Sequence, residues 1–358
     1  MLIPKQTAIP ALVRVKPGAL DRMGIYAERH AFMRVKLFFS QDLNEQLMAR
    51  LTRSLQLRNI QTLQETAVES ISFEKVTELF RRSPANADAI IGFGGGKALD
   101  VAKYLAFLFR LPYLSVPTSL SNDGFCSPQS SLTVGDSRRA LPSAMPFGVI
   151  LDTAVCLDAP EILWHSGVGD LVSKFTAVTD WKMAFHAIGT PVDDFAALLS
   201  DASVHQFLGR PKRDLEGMRL LGTALLLNGI SMSICGSSRP VSGSEHLISH
   251  ALDRVSKRPR LHGLQVGVAT YLISLLQGQK NSERIAEAVD ALRQTTPTAT
   301  PEKLSRAARI TALRRTCERV ASEFADLAGE HVSHRENPSL WSVRAELLNR
   351  LQELELQG

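Results

Sequence analysis

The sequence predicts an α/β domain on a parallel, Rossmann-like sheet over residues 1–160, followed by an all-helical domain over residues 161–358. Three observations predict it. Short apolar, strand-like runs alternate with helical patterns through the first part of the chain. One of these runs, Ala87-Asp88-Ala89-Ile90-Ile91-Gly92-Phe93, leads straight into clustered glycines and then a helix. Near Ala159-Pro160 the strand-like runs stop, and the remainder reads helical.

Taken in order, Ala11–Val15 and Val35–Phe39 read as strands, and 42–56 as a helix with Leu43, Leu47, Leu51 and Leu55 four apart. Glu74–Phe80 reads as a short helix. The glycines Gly92, Gly94, Gly95 and Gly96 precede Lys97-Ala98-Leu99-Asp100, a good helix opening. Strand, glycine turn and helix N-terminus together can cradle a phosphate, because the backbone approaches the anion and unpaired N–H groups face it. The spacing is neither GxGxxG nor a Walker A loop, and a turn that merely permits tight packing explains it equally well. Tyr113–Pro117 completes a βαβ unit and hence a parallel sheet. The hydroxyl-rich loop from Thr118 to Pro128 follows that strand's C-terminal end, where ligands of open α/β sheets sit; a polar turn would carry the same residues. Phe147–Asp152 is a further strand.

In the second part, Leu171, Val172, Phe175, Val178, Trp181 and Phe185 follow the helical period. Asp170 then falls in the first turn of that helix, where N-capping is the default role. Leu220–Cys235 and Leu264–Leu276 are shorter than the ~20 residues of a membrane span and read as core helices, so no span is expected. Between them, His246 and His250 lie four apart on one helical face, beside an apolar stripe of Leu247, Ile248, Ala251, Leu252 and Val255. Such a pair suits a divalent metal, but spacing alone also fits two polar helix residues with no ligand. The stretches 283–292, 301–327 and 340–356 read as amphipathic scaffold helices, and His331 and His334 as solvated.

Composition narrows the class. A chain of 358 residues with 44% hydrophobic and 22% charged residues is globular and long enough for two domains. A net charge of +5 and a pI near 9.1 fit a solvated basic surface. No basic run with interleaved aromatics marks a nucleic-acid binder. The four cysteines form no CxxC pair, which fits a reducing, cytoplasmic compartment. The first residues lack the apolar run of a signal peptide.

Five segments carry a resemblance. They are GFGGGKALDVAK from Gly92, PTSLSNDGFCSP from Pro117, GVGDLVSKFTAVTDW from Gly167, SRPVSGSEHLISH from Ser238 and LHGLQVGVAT from Leu261. In this order and spacing the chain resembles the sn-glycerol-1-phosphate dehydrogenase branch of the superfamily that also holds glycerol dehydrogenase, iron-containing alcohol dehydrogenases and 3-dehydroquinate synthase. The resemblance implies a dehydroquinate synthase-like architecture and a metal-dependent, NAD- or NADP-linked oxidoreductase. Its reaction would be the interconversion of dihydroxyacetone phosphate, a small phosphorylated three-carbon substrate, and sn-glycerol 1-phosphate. A related polyol dehydrogenase or a sugar-phosphate cyclase on the same scaffold is the alternative.

The resemblance also implies roles for residues. Asp170, His246 and His262 match metal ligands, for zinc or else iron or nickel. Gly94, Gly95, Gly96 and Lys97 match the pyrophosphate loop, and Thr118, Ser119, Ser121 and Ser127 match cofactor-loop positions. Asp123 and His250 match substrate-contacting residues, with His250 or a water beside it delivering a proton; Asp170 borders the same substrate. Arg239, placed by charge beside the histidine helix, is expected to meet the substrate phosphate. A homo-oligomer is expected. Two departures stand out: Leu264 stands where the family often has Glu, and the segment Phe39-Ser40-Gln41-Asp42 has no acid directly at its strand end to bind the adenine ribose, Asp42 being the candidate for that role, which leaves NAD against NADP open.

Overall fold

The computed structural model describes residues 7–278, apart from residue 136 and residues 256–259. The helices expected over 283–292, 301–327 and 340–356, with His331 and His334, lie outside the described residues. In chain order the first part runs β1 (Leu12–Val15), α1 (Met23–Arg29), β2 (Arg34–Ser40), α2 (Glu45–Gln56), β3 (Gln61–Val68) and α3 (Phe73–Arg82). It continues with β4 (Ala89–Gly94), α4 (Gly96–Phe109), β5 (Tyr113–Pro117), the hairpin β6 (Gln129–Val134) and β7 (Ser137–Pro142), and β8 (Gly148–Leu151).

Six strands form one sheet in the order β1-β8-β5-β4-β2-β3, and every pairing in it is parallel. The alternation of side chains explains the two layers on it. Leu37, Ile91 and Leu114 point to one face and pack with Met23, Leu51 and Leu55 of α1 and α2. Phe38, Ile90 and Tyr113 point to the other and pack with Val101 and Leu105 of α4. Burial on both faces makes β4 apolar along its whole length. The chain moves outward from β2 to β3 in one direction and from β4 to β5 to β8 in the other. The crevice between the ends of β2 and β4 is therefore the switch point of the sheet, where ligands of such sheets bind.

Two features are invisible in the hydrophobic pattern. Strand β3, QTLQETAV, is a polar edge strand, and β7 is almost wholly exposed. Each has one solvent-facing side too polar to show a period of two.

After Leu151 the described residues contain helices and no further strand: α5 (Thr153–Asp158), α6 (Glu161–Val172), α7 (Lys174–Ile188), α8 (Asp194–Leu208), α9 (Leu215–Cys235), α10 (Ser244–Val255) and α11 (His262–Leu276). Helix α9 is longer than the sequence pattern indicated. Asp214 caps it by accepting the Gly217 N–H, and Gly236, at φ +73°, ends it. By length and composition it could cross a membrane. Here Leu221, Ala224 and Leu225 are sealed against Leu120, Trp164 and Phe207, so it serves as the core helix expected of it. This third cluster joins β8 and the loop after β5 to α6 and α9, fastening the helices to the C-terminal edge of the sheet.

One buried group works against the fold. Lys36 on β2 is fully buried, its Nζ donates no hydrogen bond among the described residues, and it lies 3.3 Å from the centre of the Phe109 ring. Burial lowers its pKa from the usual 10.5 to about 8. Between these values the unfolded chain holds more protons than the folded one, so stability rises with pH across that window. Lys36→Met is expected to raise the thermal midpoint at pH 7 and to flatten its rise between pH 8 and 10.5; differential scanning calorimetry over that range checks both.

Candidate metal centre and dinucleotide crevice

The glycine turn is built by close approach. Gly94 ends β4 at φ +132°, a conformation that needs glycine. A Cβ there would collide with the Ser40 hydroxyl at the end of β2. That hydroxyl accepts the Gly95 N–H at 2.9 Å, and the Gly94 carbonyl accepts the Thr118 N–H at 3.1 Å. The ends of β2, β4 and β5 are thereby tied together at the switch point. Gly95 is the N-cap of α4, and a Cβ at Gly96 would meet nothing within 4 Å. Exposed Lys97 stands beside this open helix N-terminus. Free N–H groups, a lysine and empty space above them fit a pyrophosphate.

The loop after β5 runs past Thr118, Ser119 and Ser121, all half-buried, into a single 3₁₀ turn at Asp123–Cys126. Asn122 caps the turn by accepting the Gly124 N–H at 2.9 Å. Ser127 is buried; its hydroxyl accepts from Lys103 Nζ at 3.1 Å and donates to the Gln129 carbonyl at 2.9 Å. Lys103 Nζ also donates to the Gly124 carbonyl at 2.6 Å. The fully buried Lys103 therefore pins this turn to α4.

Asp170 corrects one expectation. It lies not in the first turn of a helix but in the last turn of α6, and α7 starts only at Lys174. Gly167 and Gly169 look like helix breakers in sequence, yet both sit inside α6 as contact points. A methyl group on Gly167 would strike the Leu120 carbonyl, and one on Gly169 would strike the Gly263 carbonyl. Gly263 in turn leaves room for the Ser166 carbonyl. Glycine thus lets α6 lie directly on the β5 loop and on α11, which carries Asp170 inward. Its side chain is 1% exposed and caps nothing; Oδ2 accepts the Asp123 N–H at 2.9 Å and Oδ1 lies 3.2 Å from Lys174 Nζ.

Helix α10 corrects another. Its buried face carries Glu245, His246 and Ser249, while Leu247 of the supposed core stripe is 48% exposed. The polar face turns inward because what it covers is polar. His246 Nε2 lies 3.6 Å from Asp170 Oδ1, and its Nδ1 lies 2.8 Å from Glu245 Oε1. Glu245 is held by the Gly243 N–H at 2.6 Å and the Thr176 hydroxyl at 2.8 Å. His262, the first residue of α11, places its ring 5.2 Å from that of His246, with the Ser249 hydroxyl 3.3 Å from Nδ1. One ligand-capable atom each from Asp170, His246 and His262 lies within 4.8 Å of the others. His250, exposed at the rim, stacks its ring 6.1 Å from that of His262. Arg239 is exposed on the segment between α9 and α10. Asp42, the candidate ribose acid, is exposed two residues beyond β2. Leu264, where the family often has Glu, packs against the core cluster around α9.

Electrostatics follow from burial and proximity. Burial opposes ionisation of Asp170, but Lys174 and the hydrogen bond from His246 outweigh it and hold the carboxyl well below its usual range. Burial opposes the charged form of His246 too, yet Asp170 and Glu245 raise it to about 9. Burial and the neighbouring His246 push His262 down to about 3. Burial and the charge of Asp170 raise Asp123. Two carboxylates, Asp123 and Asp170, flank one buried ammonium, Lys174, and a third, Glu245, backs the ring of His246. Two imidazoles and a carboxylate that converge in this way fit a divalent cation. Glu245, Ser249, Lys103 and Lys174 escaped the reading of the sequence as site residues. The buried acid adjoining His246 in Ser244-Glu245-His246 was the one available signal.

The chain is similar to known proteins in both sequence and fold. A family model described as iron-containing alcohol dehydrogenase matches residues 14–160. Glycerol-1-phosphate dehydrogenase [NAD(P)+] of Methanothermobacter thermautotrophicus is 38% identical over 239 residues, covering 62% of this chain and 69% of that protein. Its namesake from Haloquadratum walsbyi is 38% identical over 225 residues, covering 62% and 65%. The match thus spans about two thirds of each relative's length. Among solved structures, glycerol dehydrogenase from Schizosaccharomyces pombe superposes with a TM-score of 0.68 at 20% identity, over 84% of this chain and 82% of that one. A probable glycerol dehydrogenase from Sinorhizobium meliloti 1021 gives 0.66 at 18%, over 89% and 90%. At these identities the structural likeness establishes the fold.

The contact between α6 and α11 is testable without any ligand. Gly169→Ala forces a methyl into rigid backbone and should cost about 1–3 kcal/mol, read as a lower urea midpoint with an unchanged m-value.

Proposed function

We propose that this chain, which belongs to the glycerol-1-phosphate dehydrogenase family among the iron-containing alcohol dehydrogenases, interconverts dihydroxyacetone phosphate and sn-glycerol 1-phosphate with a nicotinamide dinucleotide and one divalent cation. The observation that carries the reading is the meeting of Asp170, His246 and His262, from three different helices, within 4.8 Å. When bound, the dinucleotide supplies the hydride and the cation draws electron density from the reacting carbonyl.

The chain's residues divide the remaining work. Gly94, Gly95, Gly96 and Lys97 bind the pyrophosphate at the N-terminus of α4, with Thr118, Ser119 and Ser121 lining the neighbouring loop. Ser127 keeps that loop in shape through its bonds to Lys103 and Gln129. Asp170, His246 and His262 hold the cation. Glu245 fixes the ring of His246 so that Nε2 faces Asp170. Asp123 meets the substrate beside Asp170. His250, at the accessible rim next to His262, delivers the proton at its imidazole or through a water it orients. We assign the substrate phosphate to the exposed Arg239. Zinc is the proposed cation, with iron and nickel as alternatives; either NAD or NADP serves, as the relatives' names state for them.

The test follows reduced-nicotinamide absorbance with dihydroxyacetone phosphate, dihydroxyacetone and both glycerol phosphate enantiomers, with and without chelator. Chelator-sensitive turnover that prefers the phosphorylated ketone is expected; equal rates on dihydroxyacetone would favour a glycerol dehydrogenase instead. His262→Ala should lower kcat/KM by about 100-fold or more while dinucleotide affinity, read by fluorescence quenching, stays within a few-fold. Glu245→Gln should weaken the cation by about 10–100-fold, read by competition with a chromophoric chelator.

A further inference from the structure

We propose that Lys174 is a positioning residue that holds the Asp123 carboxylate away from the cation, so that the set Asp170, His246 and His262 keeps an open coordination position. The inference rests on the cation reading above and deepens it.

Three observations lead to it. Lys174 is fully buried, and its Nζ lies 3.2 Å from Asp123 Oδ2 and 3.2 Å from Asp170 Oδ1. The Asp123 backbone is already anchored to the other oxygen of Asp170, through its N–H at 2.9 Å. Asp123 Oδ2 takes no hydrogen bond among the described residues, so the ion pair to Lys174 is what holds it. Two carboxylates therefore lie within two ion-pair lengths of each other, on either side of one ammonium.

Without that ammonium, Asp123 has an anchored backbone, a loose carboxylate and a dication for a neighbour. Attraction between unlike charges in a buried site is strong. A fourth protein oxygen would turn an open set of three ligands into the closed set of four found in structural sites. Lys174 prevents this by its place in the chain. It opens α7 immediately after the break at Ser173, four residues beyond Asp170, and its Nζ also contacts the Ser173 hydroxyl at 3.4 Å. The ammonium is clamped where it separates the two acids.

The experiment loads the metal-free protein with cobalt(II) and titrates it with imidazole, a neutral ligand that enters an open position and shifts the visible spectrum. A parallel titration measures zinc affinity against a chromophoric chelator. Wild type should show the imidazole shift. Lys174→Met should lose it and bind zinc at least ten-fold tighter. Adding Asp123→Asn to that variant should restore the shift, and Lys174→Arg should keep it. A shift that persists in Lys174→Met overturns the proposal. Should Lys174→Met not fold, Asp123→Asn alone decides: zinc affinity within five-fold of wild type supports the proposal. A loss of ten-fold or more overturns it, because Asp123 would then be a ligand already. If wild type binds no cobalt at all, the cation reading itself fails.

Discussion

A carboxylate buried to 1% exposure is sustained only by partners, and those of Asp170 organise this molecule. One oxygen takes the Asp123 amide, which belongs to the loop after β5; the other faces Lys174 at the start of α7 and His246 on α10. The loop after β5, α7 and α10 are thus bound to the same side chain. Breaking one partner would leave a buried charge uncompensated, the costly half of any buried ion pair. The arrangement stays tight because Gly167 and Gly169 let α6 touch neighbouring backbone directly.

The same logic links the sheet to the helices. The α/β part ends its central strands at a glycine turn, with Ser40 and Thr118 tying three strand ends together. Lys103 carries that order from α4 into the 3₁₀ turn that presents Asp123. From Asp123 a single hydrogen bond reaches Asp170. The proposed dinucleotide crevice and the proposed cation site are therefore neighbours along a chain of hydrogen bonds, of which those of Lys103 and Asp170 are charge-assisted, an arrangement that suits a reaction holding two reactants in line.

Much of this was legible in the sequence. The strand runs at Leu12, Val35, Ile90, Tyr113 and Val149, with the βαβ unit around the glycine turn, announced a parallel sheet. The helical remainder of the described chain was equally plain. Strand β3 and the hairpin were hidden because an edge or a solvated ribbon need not be apolar. Asp170 was misplaced because the helical period was traced only from Leu171 onward, whereas Gly167 and Gly169 before it already lie inside α6 and serve helix contact. Helix α10 was read with the wrong face inward: Leu247 and Ile248 suggested a core stripe, but a polar site lies beneath, so Glu245, His246 and Ser249 turn toward it. Lys174 and Lys103 were unreadable for a related reason. A lysine looks solvated until the acids that bury it are brought close by residues far away in the chain.

The most direct test is anomalous diffraction from a zinc-soaked crystal at the zinc edge. The account predicts one strong peak at about 2.0–2.2 Å from a carboxylate oxygen of Asp170 and from one ring nitrogen each of His246 and His262. A map with no peak among those three side chains, or with the metal held by other residues, would contradict it.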